Sequence, residues 1–375
     1  MIGAVKEWAD RLLGRGGASI TVPVFDGALK SNQILEDAPT FAQLEAPEDL
    51  ASDGTSLFVA DGVRVLRYAA VPGSEGTVVA SFEQPVTALA CLNDAGVAAW
   101  AVALGGREVR IVGGAHDGKR IEVVNGKPLV SANAISATGD GRLIITDGSE
   151  NHPVALWKND LMELGRSGRV VEWDLASGAT REVATGLAYA FGACTTGSDG
   201  EAAIWACESW RHRVVTVGGA QSGRAVIDSL PGYPSRITPA ASGGYWLTAF
   251  ILRTQLVEFV LREPEFRKRM LEEIAPQYWI APALNSGNTF LEPMQGAHLK
   301  MMGVVKPWAP PRSYGLVIRL SPEGRVRYSL HSRFDGKHHG VVAAVECAEH
   351  LFVLAKGCGR VLRLSIAGAE QGLQA

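Results

Sequence analysis

The sequence predicts an all-β fold, a six-bladed β-propeller with a helical and loop insertion in blade five. Its repeating unit is a hairpin, clearest at residues 131–149, where two β-prone runs flank Gly139-Asp140-Gly141. Asp-Gly between such runs favours a tight turn, because glycine adopts positive φ without steric cost. Asp53, Asp94 and Asp140 mark successive units at spacings of 41 and 46 residues. One blade takes roughly 40–50 residues, so the period predicts a propeller, and a pair of β-sandwiches is the alternative.

Composition, net charge and cysteine spacing limit the kinds of protein to which this chain can belong. The chain has 375 residues, 47% of them hydrophobic and 20% charged, with a net charge of −3 at pH 7. Such a chain can bury a large core, and the lack of a basic excess argues against a nucleic-acid partner. No apolar run reaches the ~20 residues of a membrane helix, so no membrane span is expected. The 5 cysteines lack CxxC spacing, which predicts a reducing, cytoplasmic location. No oligomeric state follows from these data.

The N-terminal region precedes the repeats. Residues 1–18 are predicted to form a helix that packs on the domain, since Ile2, Val5 and Trp8 fall near helical spacing. A weak amphipathic surface helix is the alternative. Residues 19–375 are predicted to form a single propeller domain. The β-like run 19–24 is expected to close the ring by joining the last blade, which removes an exposed sheet edge.

The blades are predicted in chain order. Their expected positions are 47–68, 86–112, 132–173, 189–217, a fifth blade from residue 233, and 341–364. Two long gaps hold insertions, 150–167 in blade three and 261–311 in blade five. The second begins with a predicted helix, because Pro264 suits a first turn and Pro276 ends the apolar periodicity. An insertion of this length on a compact domain is typical of a lid, a cap or a binding segment.

Several motifs resemble those of the strictosidine synthase-like family. They are Pro47-Glu48-Asp49-Leu50, Ser131-Ala132-Asn133-Ala134-Ile135, Leu187-Ala188-Tyr189-Ala190-Phe191-Gly192, Cys207-Glu208-Ser209, Leu230-Pro231-Gly232-Tyr233-Pro234 and Gly243-Gly244-Tyr245-Trp246. The resemblance covers roughly residues 45–365. The wider group includes paraoxonases and gluconolactonases, and it implies a six-bladed propeller with its site at one mouth of the central channel.

The resemblance also bears on metal binding. Calcium-dependent members hold the ion with an acidic residue of blade one and with Asn or Asp side chains of later inner strands. Glu48 and Asn133 match two such positions, whereas Phe191 and Ser235-Arg236 stand where oxygen ligands are usual. Calcium needs several oxygen ligands, so we expect no required cofactor, or at most a weakly held calcium ion. Strictosidine synthase works without metal, and here an ion pair of Glu48 with Arg236 is expected to replace the missing charge.

The densest polar segment, residues 329–340, leads into the innermost strand of blade six. It contains His331, Arg333 and His339, and the resemblance places His339 near the acid–base Glu of strictosidine synthase. Imidazole titrates near neutral pH and guanidinium binds oxyanions, so these residues are candidates for catalysis. A solvated loop is the alternative for the segment. A zinc site made of His152, His331 and His339 is a further alternative.

Substrate contacts are expected from both insertions and from two positions in blade four. The candidates are His152, Trp157, Phe191, Glu208, Trp279 and Trp308. Trp279 and Trp308 would supply the apolar wall of a pocket. Glu208 ends an apolar strand, and a buried carboxylate is costly without a partner. It is therefore expected to pair with an arginine such as Arg211 or Arg236.

These features predict an enzyme that hydrolyses an ester or lactone of a small molecule. His339 or Glu48 would activate water, and Arg236 or Arg333 would stabilise the oxyanion. A non-hydrolytic enzyme of strictosidine synthase type, acting through an imine, is the first alternative. A propeller that binds its ligand without turnover is the second. The sequence has no GxSxG, no P-loop and no GxGxxG after a strand, so it gives no support to the enzyme classes that use them.

Overall fold

The prediction of a six-bladed β-propeller is confirmed. In the computed structural model, which describes residues 22–94, 97–197, 203–285, 300–301, 304–305 and 313–372, six antiparallel sheets have four strands each. Each inner strand contacts the inner strands of both neighbouring sheets, and the sixth contacts the first. This closed ring excludes the β-sandwich alternative.

Strands β1 to β28 are numbered in chain order. Blade one comprises β2–β5, which are Pro47–Ser52, Ser56–Asp61, Arg64–Ala69 and Thr77–Ser81. Blade two comprises β6–β9, which are Val86–Asp94, Val97–Leu104, Glu108–Val112 and Arg120–Ile121. Blade three comprises β12–β15, which are Ala132–Ala137, Arg142–Asp147, Gly168–Asp174 and Thr180–Leu187. Each sheet runs outward from its first strand.

The other three blades follow the same plan. Blade four comprises β16–β19, which are Ala190–Thr196, Ala203–Glu208, Arg213–Val217 and Ala225–Ile227. Blade five comprises β20, β21, β24 and β25, which are Gly232–Pro239, Tyr245–Leu252, Gly315–Leu320 and Val326–Ser332. Blade six comprises β26–β28, which are Val341–Cys347, His350–Ala355 and Arg360–Ser365, and its outermost strand is β1, Thr40–Gln43. Two short hairpins lie outside the blades, β10–β11 (Val123–Val124, Lys127–Pro128) and β22–β23 (Lys300–Met301, Val304–Val305).

The ring is closed by an N-terminal strand, but not by the predicted one. Strand β1 pairs with β28, with Ala42 opposite Val361. Residues 22–24 of the expected strand 19–24 form no strand, and 19–21 lie outside the described residues. The ring of Phe41 packs edge-on against Tyr68 of blade one and Phe352 of blade six. Because β1 directly precedes blade one, its aromatic side chain can pack on both sides of the seam.

The recurring Asp-Gly turns have a local physical cause. In the first hairpin, Oδ1 of Asp53 accepts the backbone N–H groups of Thr55 and Ser56. In the third, Gly141 adopts φ 81°, a value that L-residues rarely take. The aspartate satisfies turn amides and the glycine supplies the left-handed residue, which explains why this pair marks the period.

Both insertions contain helices. Helix α1, Trp157–Glu163, lies in blade three, and α2, Gln255–Val260, and α3, Pro264–Glu273, lie in blade five. The C-terminal helix α4 is Ile366–Gly372, and short 3-10 turns are Gly27–Leu29, Gly114–His116, Val154–Leu156, Ser209–Arg211, Pro276–Tyr278 and Lys356–Cys358. The helix predicted from Pro264 is confirmed, whereas α2 was not expected. The N-terminal helix predicted over residues 1–18 lies outside the described residues.

The two insertions pack against each other. Met162 of α1 shares a buried cluster with Val260, Met270 and Trp279 from the blade-five insertion. Phe266, in the first turns of α3, lies outside this cluster and is 50% exposed. The insertions therefore form one cap with its own small core.

Candidate functional site

All six inner strands carry a bulge near their first residues. In each blade, one or two residues of the first strand have no pairing partner on the second strand. These unpaired residues are Glu48, Thr87, Asn133, Phe191-Gly192, Ser235-Arg236 and Val342. A bulge frees a residue from the ladder and redirects it, so these six positions form one level around the channel. At Gly192, with φ 93°, a Cβ atom would lie 2.6 Å from Cα of Arg236, which explains the glycine.

The side chain of Arg236 occupies the channel at this level. Its Nη1 donates to the carbonyl oxygens of Glu48 (3.1 Å) and Val342 (3.4 Å). Its Nη2 donates to the carbonyl oxygens of Thr87 (3.0 Å) and Asn133 (2.6 Å). These four acceptors come from blades one, six, two and three. One guanidinium from blade five therefore binds the bulged backbone of four other blades.

A carboxylate and an aromatic ring complete the surroundings of Arg236. Its Nε lies 3.0 Å from Oδ1 of Asp49, as an ion pair without the alignment of a hydrogen bond. Asp49 also accepts the backbone N–H groups of Leu50 and Leu89 at 2.8 and 2.9 Å. Burial raises the pKa of Asp49 to about 6, against the opposing effect of Arg236. The ring of Phe191 lies 5.1 Å from the guanidinium carbon, so blade four supplies a cation–π contact.

Glu48 pairs with a lysine instead of with Arg236. Its Oε2 lies 2.5 Å from Nζ of Lys356, which follows the second strand of blade six, and the two side chains are 16% and 26% exposed. Arg236 binds Glu48 only at its backbone carbonyl. The ion pair expected between Glu48 and Arg236 is therefore absent, and Arg236 pairs with Asp49 instead. Lys356 was missed in the sequence. The available signal was its position directly after an apolar second strand, one residue beyond the strand end that Asp147 and Glu208 occupy in other blades.

The residues at the expected calcium positions do not fit a calcium ion. The Asn133 amide donates to the carbonyl of Ala190 (3.0 Å), and its Oδ1 accepts the hydroxyl of Thr146 (2.7 Å). The Glu48 carboxylate is neutralised by Lys356, and a guanidinium stands at the centre. Across the described part of the chain, no three His, Cys, Asp or Glu side chains are grouped as metal ligands. This donor set favours a cationic side chain over a metal.

An aromatic wall lies on the Glu48 side of the channel: Phe191 packs on Arg236, which binds the Glu48 carbonyl, and burial together with the nearby Glu48 charge raises the pKa of Tyr189. The aromatic wall consists of Trp157, Tyr189, Phe191, Trp210 and Phe250, which come from the blade-three insertion and from blades four and five. Tyr189 stacks on Trp210 at 4.4 Å, and Phe250 contacts both Trp157 and Phe191 edge-on at 5.4 Å. Trp157 and Trp210 are partly exposed, whereas the other three are buried.

Two features hold the wall in place. Tyr189 adopts φ 60° although it is a bulky buried residue, a conformation that persists only where the surroundings impose it. The indole N–H of Trp210 donates to Oδ1 of Asp160 at 2.7 Å. Burial raises the pKa of Asp160. The wall is thus positioned by polar contacts from α1 as well as by ring packing.

The polar segment 329–340 does not bring its candidate side chains together in one site. His331 is fully buried in the outermost strand of blade five, where its Nδ1 contacts the hydroxyl of Tyr314 (2.9 Å) and its Nε2 that of Ser329 (2.7 Å). Nε2 of His339 contacts the carbonyl oxygen of Arg333 at 2.9 Å. The side chain of Arg333 is 44% exposed, and its guanidinium faces its own loop, 3.5 Å from Asp335. The structure therefore separates His331 from the other candidates.

The candidates for substrate contacts lie in different parts of the fold, and only some of them are near the channel. Nε2 of His152 lies 2.8 Å from Oε2 of Glu163 and so ties its loop to α1. His152, His331 and His339, all within the described residues, are not grouped as metal ligands, which removes the zinc alternative. Glu208 pairs with Arg213 at 2.6 Å and not with Arg211 or Arg236. Phe191 and Trp157 belong to the aromatic wall.

The last two candidates are the tryptophans of the blade-five insertion. Trp279 is 4% exposed and lies in the core of the cap, where its indole N–H donates to the carbonyl of Ile274. It therefore supports the cap and does not line a pocket. Trp308 lies outside the described residues. Among the helices that the structure describes, none is both long and apolar enough for a membrane span.

Comparisons with known proteins agree with this architecture. No family model matches the chain. The adipocyte plasma membrane-associated protein of Mus musculus is 27% identical over 253 residues, which cover 65% of this chain and 54% of that protein. Strictosidine synthase-like 13 of Arabidopsis thaliana is 25% identical over 213 residues, which cover 56% and 46%. The chain thus spans about half the length of the curated relatives that it matches.

Solved propellers show the same fold. A gluconolactonase from Xanthomonas campestris superposes with a TM-score of 0.54 at 15% identity, covering 92% of this chain and 95% of that one. A luciferin-regenerating enzyme superposes with a TM-score of 0.51 at 14% identity, covering 89% and 94%. The resemblance predicted from the motifs is confirmed: this chain is a six-bladed β-propeller similar to strictosidine synthase-like proteins, with gluconolactonase-like structural neighbours.

Proposed function

We propose that this protein is a metal-independent enzyme that hydrolyses an ester or lactone of a small molecule at the mouth of the propeller channel. The observation that carries the proposal is the Glu48–Lys356 pair, a carboxylate and an ammonium 2.5 Å apart and both partly exposed, on the side of the channel where the aromatic wall lies. Apolar walls with a few convergent polar groups are typical of small-molecule sites.

The pair has the groups that acyl hydrolysis needs. The Glu48 carboxylate takes a proton from water as its oxygen attacks the carbonyl carbon, and the Lys356 ammonium stabilises the oxyanion. The intermediate then loses its alkoxide, which receives the proton held by Glu48. The products are an alcohol and a carboxylic acid, which releases its proton to solvent at neutral pH, and the two are joined in one hydroxy acid when the substrate is a lactone. The aromatic wall would hold the apolar part of the substrate.

These roles revise the mechanism expected from the sequence. His339 already contacts the Arg333 carbonyl, and Arg333 faces its own loop. Arg236 is 5% exposed, with its donors on channel carbonyls. Glu48 therefore keeps the role of base, and Lys356 takes the cationic role in place of either arginine. The cytoplasmic location expected from the cysteines stays a prediction.

Substitution of the pair tests the proposal. In chelator-treated buffer, with phenyl acetate and δ-valerolactone as substrates, Glu48→Gln should lower kcat by at least about 100-fold, because it removes the base. Lys356→Met should also lower kcat, because it removes the oxyanion partner. The matched control is Lys127–Glu150, an exposed Lys–Glu pair at 2.8 Å outside the channel. Lys127→Met and Glu150→Gln should retain turnover, and full activity in Glu48→Gln would contradict the proposal.

A non-hydrolytic enzyme acting through an imine is the second candidate. It is favoured by the similarity to strictosidine synthase-like 13 and by channel residues that do not suit calcium. With an ester or lactone as substrate, turnover in isotopically labelled water separates the two, since hydrolysis places one solvent oxygen in the carboxyl group of the product, whereas condensation through an imine forms no new carboxyl group. A ligand that raises the melting temperature without any product would instead indicate a binding propeller.

A further inference from the structure

We propose that Arg236 is a covalently attached replacement for a metal ion, seated in a cation site of the channel, and that removing its guanidinium turns the site into a calcium site. This proposal concerns the channel below Glu48 and Lys356 and does not depend on the reaction proposed above.

The oxygen atoms around Arg236 have the chemistry of a hard-cation site. Four backbone carbonyls, those of Glu48, Thr87, Asn133 and Val342, point at the guanidinium at 2.6 to 3.4 Å. Calcium takes six to eight oxygen ligands, carbonyls and carboxylates among them. Four carbonyls and one carboxylate supply most of that number, and water can supply the rest.

The balance of buried charges around Arg236 also indicates a cation site. Asp49 is 2% exposed, and its only ion-pair partner in the described chain is Arg236. The Glu48 carboxylate is already neutralised by Lys356. Without the guanidinium, a buried carboxylate and four converging carbonyl dipoles would face one another with no compensating charge, which is strongly unfavourable. A divalent cation is the solute that relieves this, because oxygen donors are all that remain.

The guanidinium also connects the whole ring. It belongs to blade five, binds carbonyls of blades one, two, three and six, and lies over Phe191 of blade four. A metal in this place could dissociate, whereas a side chain cannot. The ring should therefore hold together whatever the concentration of free calcium.

Arg319 provides a matched comparison within the same blade. It is 3% exposed, lies over Trp246 at 5.0 Å and donates to the carbonyls of Leu320 and Gly243. Its acceptors all come from blade five, and no carboxylate pairs with it in the part of the chain that the structure describes. Arg319→Met therefore controls for the loss of a buried, carbonyl-bound arginine without a cation site.

The test measures thermal unfolding and calcium binding by calorimetry in metal-depleted buffer, with calcium chloride as the probe. Wild type should show no change in melting temperature with calcium or chelator. Arg236→Met should unfold at a lower temperature, bind one calcium ion per chain and gain at least about 3 °C at a calcium concentration 100 times Kd. Arg319→Met should also unfold earlier, without any response to calcium. Asp49→Asn combined with Arg236→Met should lose calcium binding.

Two results would overturn the proposal. One is a folded Arg236→Met variant that binds no calcium. The other is a wild-type chain that binds one calcium ion and loses it on Asp49→Asn. If Arg236→Met folds only with calcium, that dependence supports the proposal. If it folds in neither buffer, Arg236→Lys decides: it keeps the charge and should fold without calcium, and failure to fold would show that positive charge is not what the channel requires.

Discussion

At the scale of single residues, burial decides what a titratable side chain can do. His331 was a candidate base because imidazole titrates near neutral pH. In the fold its ring nitrogens contact the hydroxyls of Tyr314 and Ser329, and its ring packs edge-on against Phe25. Burial lowers the pKa of His331 to about 4. The residue therefore serves the core of blade five as a neutral imidazole.

The lowered pKa of His331 predicts a dependence of stability on pH. The unfolded chain binds the proton near pH 6.5, whereas the folded chain resists it down to about pH 4. Stability is therefore fully present above pH 6.5 and falls as the pH drops toward 4, by up to about 3 kcal/mol from this residue. Denaturant unfolding at several pH values measures the slope. His331→Gln should flatten it, and equal slopes in wild type and His331→Gln would contradict the assignment.

At the scale of strands and helices, the sequence predicted those elements whose signals lie in neighbouring residues of the chain. Turn residues with positive φ marked the hairpins, and Pro264 marked the start of α3. Strand β1 was missed because its four residues carry no alternation and acquire strand geometry only by pairing with β28, more than 300 residues away. Lys356 was missed for a related reason, since its partner Glu48 is distant in the chain. A strand or an ion pair that forms only by contact with a distant part of the chain cannot be predicted from the neighbouring residues alone.

The turn between β26 and β27 offers a test of local strain. Cys347 pairs with His350, which leaves Ala348 and Glu349 as a two-residue loop with φ 45° and 63°. Such a turn favours glycine, because L-residues with positive φ cost roughly 1–2 kcal/mol each. Glu349→Gly should therefore raise the free energy of unfolding by about 0.5–1 kcal/mol after the added entropy of the unfolded chain. Gly141→Ala, at φ 81° in another turn, should lower it. An unchanged or lower stability in Glu349→Gly would show that the loop is not strained.

At the scale of the whole molecule, the candidate site exists only because the ring is closed. Glu48 belongs to the first blade and Lys356 to the last, and β1 closes the seam between these blades. The sequence could place the starts of the inner strands around one channel mouth. It could not determine which side chains would point inward, because the rotamers of Arg236 and Asn133 depend on neighbours from several blades.

The seam gives the prediction that belongs to the whole ring. Phe41 is partly buried and contacts Tyr68 and Phe352 at centroid distances of 5.5 and 5.0 Å, so it joins blade one to blade six. Phe41→Ala should lower the free energy of unfolding by about 2 kcal/mol, somewhat less than for a fully buried phenylalanine. Because each inner strand packs on those of both neighbouring blades in a closed ring, we expect urea unfolding to remain a single transition at a lower midpoint. The control is Phe266→Ala on α3, 50% exposed, which should change stability by less than about 0.5 kcal/mol. Equal midpoints for the two variants would mean that the aromatic seam contributes nothing to closure.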